Sequence, residues 1–292
     1  MSRYFNIYLF NKVGNSYKLD ENLFKMRPKK ILLFLFILCL SSCKVNQLTG
    51  KKTFNIMGNK QLFATSFQQY DAFLKENKII QNTAESESIQ AIGKKIAFAA
   101  EQYFAFKGYP DYLKDYAWEY NLVDDKLVNA WCMPGGKIVF YTGILPIAAN
   151  ESGIAAIMGH EVAHALANHG GQRMSLAMAQ QGVGILTQSI VKEQPEKKKN
   201  AILMAYGIGS SIGVMMPFSR KHESEADKIG LELMAIAGYD VDEAPQLWER
   251  MKAQSKGNTP EFLSTHPSEE RRIQNLKMWS AEAKALAIQI NP

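Results

Sequence analysis

Cysteine, long apolar runs and an excess of one charge are all scarce in this chain, and each shortage removes a class of protein. Only three of 292 residues are cysteine. Cys39 and Cys43 sit together near the start and Cys132 stands alone, so no disulfide framework is expected. The apolar stretches 31–40 and 201–216 are shorter than the roughly 20 residues that cross a bilayer as a helix. The second carries Gly207, Gly209 and Gly213, which suit close helix packing, so it is expected to be a soluble or surface-associated helix. The net charge of +6 is also misleading, because residues 1–43 hold seven basic and two acidic residues and so account for five of those charges. Without a basic surplus in the remainder, no nucleic-acid partner is expected.

The first 43 residues have a different logic. Met26-Arg27-Pro28-Lys29-Lys30 is a basic start, 31–40 is an apolar core, and Leu40-Ser41-Ser42-Cys43 ends it with small residues. That order predicts a secretory leader. Its ending resembles a bacterial lipobox, which implies cleavage before Cys43, acylation of that cysteine and attachment to a membrane by lipid. Residues 1–25 precede this well-formed start and read as an over-assigned or unusually long leader. Residues 44–58 are expected to be a tether and 59–292 one compact domain.

Histidine is rare as well, with five in the chain, yet two stand in His160-Glu161-Val162-Ala163-His164 inside an apolar helix. Imidazoles at i and i+4 share one helix face and can hold one Zn²⁺ ion, while the glutamate between them sits where it can take a proton from water. His169 is at the wrong offset for a third ligand in the long H-E-x-x-H-x-x-G-x-x-H pattern and reads as a helix-end residue before Gly170-Gly171. Downstream, Ser219 can cap a helix on which Glu223 and Asp227 lie at i and i+4. On spacing alone, one of these carboxylates can bind metal and the other can orient a ligating imidazole. Lys221, Glu225 and Lys228 read as a solvated face.

Taken together, His160-Glu161-x-x-His164, then Ser219-Arg220 with Glu223-x-x-Ala226-Asp227, then His266-Pro267 with Arg272 resemble the M48 metallopeptidases, over about residues 125 to 275. The resemblance implies a gluzincin-type zincin with zinc on His160, His164 and Glu223. It makes Glu161 the general base, Asp227 the orienter of a ligand, His266 and Arg272 oxyanion stabilisers, and Asn129-Ala130 a substrate-flanking pair on a strand.

The rest of the chain predicts a mainly α fold with a small β-sheet. Apolar residues recur at helical spacing over 59–78 and 85–107. Strands are expected at 118–123, 129–133 and 137–141, joined as a meander, with a free edge where an extended substrate can add. Residues 254–265 read as a mobile polar loop, long enough for His266 to reach the metal as a fourth ligand or to swing towards substrate. The expected function is zinc-dependent cleavage of misfolded or unassembled envelope proteins by a lipoprotein of the bacterial outer membrane, facing the periplasm. The alternative is a zinc-stabilised chaperone or assembly factor for outer-membrane proteins. The sequence predicts no particular oligomer.

Overall fold

The structure, a computed structural model, describes residues 43–191, 194–196, 198, 219–254, 260–266 and 270–291. The leader and the apolar stretch 201–216 lie outside these residues. Helix α1 (Asn59–Glu76) and helix α2 (Ala84–Phe106) fall where the helical spacing places them. α2 starts at Thr83, whose Oγ1 accepts from the Ser86 amide while Ser86 Oγ accepts from the Thr83 amide. This reciprocal pair satisfies two of the amides that a helix start leaves without partners. Ile89, Ile92, Ile96, Ala100 and Phe104 then recur on one buried face.

That face covers one side of a four-stranded sheet with the order β3-β4-β6-β5: Ile79–Ile80, Glu119–Val123, Lys137–Tyr141 and Ala130–Met133. Tyr120, Leu122, Ile138 and Phe140 point into the main core with α2, whereas Val123, Val139 and Tyr141 meet Tyr70 of α1 on the other side. The expected meander is corrected here. β4 pairs parallel with β6, and β5 pairs antiparallel with the far side of β6. The reason is burial on both faces: Ile138, Val139 and Phe140 are consecutive and all fully buried, which suits only a central strand. β5 therefore becomes the edge.

After a short helix α3 (Leu145–Ala148), helix α4 (Glu151–Leu166) is capped by Asn150, whose Oδ1 accepts from the Gly153 amide. It is buried on every side from Ala155 to Leu166. Past the end of α4, Asn168 takes the left-handed conformation (φ 56°) usual for a residue just beyond a helix end. Helix α5 (His169–Val191) thus begins at His169 and runs through Gly170-Gly171, so the chain turns earlier than the sequence suggests. Helix α6 (Arg220–Ile236) begins at the Ser219 cap and crosses α4 backbone to backbone. A Cβ on Gly159 would lie 2.7 Å from the Gly230 carbonyl oxygen, and one on Gly230 would lie 2.8 Å from the His160 amide nitrogen, so two glycines permit the approach.

Helix α7 (Glu243–Gln254), the short helix α8 (Glu261–Thr265) and helix α9 (Glu270–Ile290) complete the described fold. Within the stretch expected to be a mobile loop, α8 buries Phe262 completely and ties its amide to the Val128 carbonyl at 3.0 Å. Residues 44–58, read from the sequence as a tether, belong to the compact unit Lys44–Pro292. There β1 (Cys43–Val45) and β2 (Lys52–Phe54) form a two-stranded sheet. Asn46 Nδ2 donates to the Ala167 carbonyl at 2.9 Å, and the Ile56 amide donates to Ser175 Oγ at 3.0 Å. No described helix is long and apolar enough to cross a membrane.

Candidate active site

α4 brings His160 and His164 to one face, with their Nε2 atoms 3.1 Å apart. α6 supplies Glu223, whose Oε2 lies 3.4 Å from His160 Nε2 and whose Oε1 lies 3.3 Å from His164 Nε2. The residue after α8, His266, places Nδ1 3.2 Å from His160 Nε2 and 3.1 Å from Glu223 Oε1. All four side chains are buried, and one ligand atom from each lies within 4.8 Å of the others. Zinc bonds of about 2.0–2.1 Å arranged tetrahedrally put neighbouring donors about 3.3–3.4 Å apart, close to these separations.

Proton bookkeeping points the same way. His160 Nδ1 is 3.0 Å from Asp227 Oδ1 and His164 Nδ1 is 2.9 Å from His169 Nδ1. If both Nδ1 atoms carry the proton, two Nε2 lone pairs and a carboxylate converge on one buried point, which is favourable only around a cation. The residues present therefore fit a zinc ion.

The electrostatics depend on burial and close pairing. Burial opposes ionisation of Glu223, but hydrogen bonds from His160, His164 and His266 outweigh it and hold the carboxyl far below its usual range. Burial likewise opposes the charge on Asp227, and Arg272 outweighs it. The His164 imidazole is pushed well down by burial and so stays neutral, as a ligand must. Glu161 moves the other way: burial raises its carboxyl, with His266 and His160 partly offsetting the shift. Its Oε1 has no hydrogen-bond partner among the described residues and lies 3.5 Å from His266 Nε2. A buried carboxylate raised towards neutrality is suited to accept a proton and return it.

Glu161, His164 and His266 line a cleft of about 240 Å³ together with Asn129, just before the edge strand, and Ala130, Trp131 and Cys132 of that strand. Asn129 and Ala130 thus stand at the cleft wall, where Asn129 Oδ1 accepts from the Ala130 amide at 3.0 Å. Arg272 is placed elsewhere. Its Nε and Nη2 donate to the two Asp227 oxygens at 2.7 and 2.6 Å, and Nη1 lies 2.9 Å from Glu223 Oε2. Its guanidinium also stacks 3.7 Å from the Trp248 ring centre. Committed to these carboxylates, Arg272 stands behind the ligands, so the oxyanion role expected for it finds no geometric support. Cys43 is the first residue of β1.

The chain is matched over residues 83–280 by the family model for peptidase family M48. It belongs to the M48 peptidases. Among curated M48 relatives, it is 36% identical over 174 residues to the mitochondrial metalloendopeptidase OMA1 of Schizosaccharomyces pombe, covering 59% of this chain and 49% of that protein. The human mitochondrial metalloendopeptidase OMA1 is 27% identical over 269 residues, covering 88% of this chain and 50% of that one. The beta-barrel assembly-enhancing protease of Escherichia coli is 27% identical over 177 residues, covering 58% and 35%. The chain spans about half, or less, of the length of these relatives.

All five histidines of this M48 chain gather here, because His169 stacks on His222 at 4.2 Å. Sequence reasoning missed His169 and Glu225. His169 is fully buried, and its Nε2 lies 3.0 Å from Glu225 Oε2, whose other oxygen meets Lys51. Glu225 is therefore no solvated residue. Burial opposes its charge, but bonds from His169 and Lys51 bring its carboxyl down to about 2. The scarcity of histidine, with one more only five positions after His164, was the available signal.

Proposed function

We propose that this chain is a zinc-dependent endopeptidase that cleaves misfolded or unassembled proteins of a bacterial envelope. It would be held by lipid on Cys43 at the outer membrane, facing the periplasm. The observation that carries the hydrolytic part is Glu161: a buried carboxylate with one oxygen that has no hydrogen-bond partner among the described residues, in a cleft beside the four clustered donors of a Zn²⁺ site. When bound, zinc supplies Lewis acidity that makes water a nucleophile near neutral pH and polarises a carbonyl. Glu161 takes the proton from the attacking water and delivers it to the leaving amine. The edge strand β5 holds the substrate backbone extended along the cleft. The envelope setting is supported by the leader pattern and by likeness to a relative named for β-barrel assembly.

His266 favours a second reading of the resting protein. With four protein donors, a tetrahedral site has no open position, and closed sites are the structural kind. A zinc-stabilised chaperone for outer-membrane proteins would need no more than that. Glu161→Gln separates the two, because it keeps the shape and loses the base. Turnover of unfolded outer-membrane protein should fall about 10²- to 10⁴-fold with zinc content unchanged. Full rescue of a deletion strain by Glu161→Gln would replace the peptidase with the chaperone for that role.

A further inference from the structure

The two helix-borne ligands are backed differently. His160 meets a carboxylate directly, Asp227 at 3.0 Å, and Arg272 holds that carboxylate. His164 meets an imidazole instead: His169 Nδ1 at 2.9 Å, with Glu225 Oε2 3.0 Å beyond His169 Nε2 and Lys51 on the far oxygen. Only one proton arrangement satisfies this row. If His164 is to offer its Nε2 lone pair to a metal, its proton sits on Nδ1 and is donated to His169 Nδ1. His169 then carries its own proton on Nε2 and donates it to Glu225. Each arm ends in a carboxylate and a cation, with one extra ring inserted in the second.

We infer that His169 is a positioning residue of the metal centre, fixing the tautomer and ring angle of His164 through a row that runs on to Glu225 and to Lys51 of the N-terminal hairpin. The inference rests on the zinc-peptidase reading, since the row matters only if His164 binds metal. It has a further consequence for the segment between Cys43 and the catalytic domain. The hairpin contributes Lys51 to the row, and its Asn46 Nδ2 holds the Ala167 carbonyl just past the end of the metal helix. It is thereby built into the support of the site rather than simply connecting it to an anchor. Lys51 is half exposed, so water screens its share.

The test uses the full folded chain, with zinc competed against a chromophoric chelator, the visible spectrum of the Co²⁺-substituted protein, and melting of the metal-free protein. His169→Phe keeps a ring to stack on His222 and removes both nitrogens. It should weaken zinc binding about 10- to 100-fold and shift the Co²⁺ spectrum while the metal-free melting point holds. His169→Gln, which offers an acceptor and a donor on one amide, should recover most of the affinity, and Lys51→Met should cost no more than about fivefold. Wild-type affinity and spectrum in His169→Phe would overturn the inference. If that variant does not fold, Glu225→Gln decides, with weaker zinc binding in support and unchanged binding against. Failure of the wild-type chain to bind zinc would instead overturn the peptidase reading beneath it.

Discussion

Replacing Gly230 by alanine tests whether the crossing of α4 and α6 sets the metal site. The new Cβ would lie 2.8 Å from the His160 amide nitrogen and 2.9 Å from the Gly159 carbonyl carbon. Comfortable contact begins at about 3.5 Å, so the helices must part by about 0.7 Å. Backbone atoms cannot rotate away, which places the cost near the upper end for overpacking, about 3 kcal/mol. Alanine gains about 1 kcal/mol over glycine inside a helix, leaving a net loss of about 2 kcal/mol. For a domain of this size that lowers Tm by about 4–8 °C.

The larger effect falls on the metal. Glu223 rides on α6 and His160 and His164 on α4, so the separations of 3.4 and 3.3 Å between the Glu223 oxygens and the two Nε2 atoms would widen beyond the roughly 0.2 Å that a zinc site tolerates. Differential scanning calorimetry of metal-free protein and chelator-competition titration read the two effects separately. Gly182→Ala in α5, where a Cβ meets nothing within 4 Å among the described residues, is the control and should be neutral or stabilising. A Gly230→Ala protein with wild-type Tm and wild-type zinc affinity would refute the argument.

His266→Ala opens the fourth position and should raise basal hydrolysis of small peptides; loss of activity with zinc retained would make His266 a participant in the chemistry instead. Cys43→Ala should leave the chain unprocessed and unlabelled by lipid in a bacterial host, and release of the same mature species as wild type would remove the lipoprotein reading.

The sequence determined the parts of this protein that obey local rules. Two imidazoles and a carboxylate at helical spacing, the Ser219 cap and the periodic apolar faces of α1 and α2 depend on contacts within a few turns, where the 3.6-residue period carries the information. The strands were legible for the same reason, but their order was not. β6 is central because both its faces are covered, and coverage is a property of what packs on the sheet. Tertiary structure alone decided the rest of the site. Glu223 reaches the histidines because Gly159 and Gly230 let two helices touch, and His266 arrives on a short helix pinned by Phe262. Arg272 turns towards Asp227 rather than the cleft, and His169 joins Lys51 across more than a hundred residues through Glu225. Side-chain identity names which groups can bind a metal or move a proton, but the distances between groups far apart in the chain are fixed only when the core closes around them.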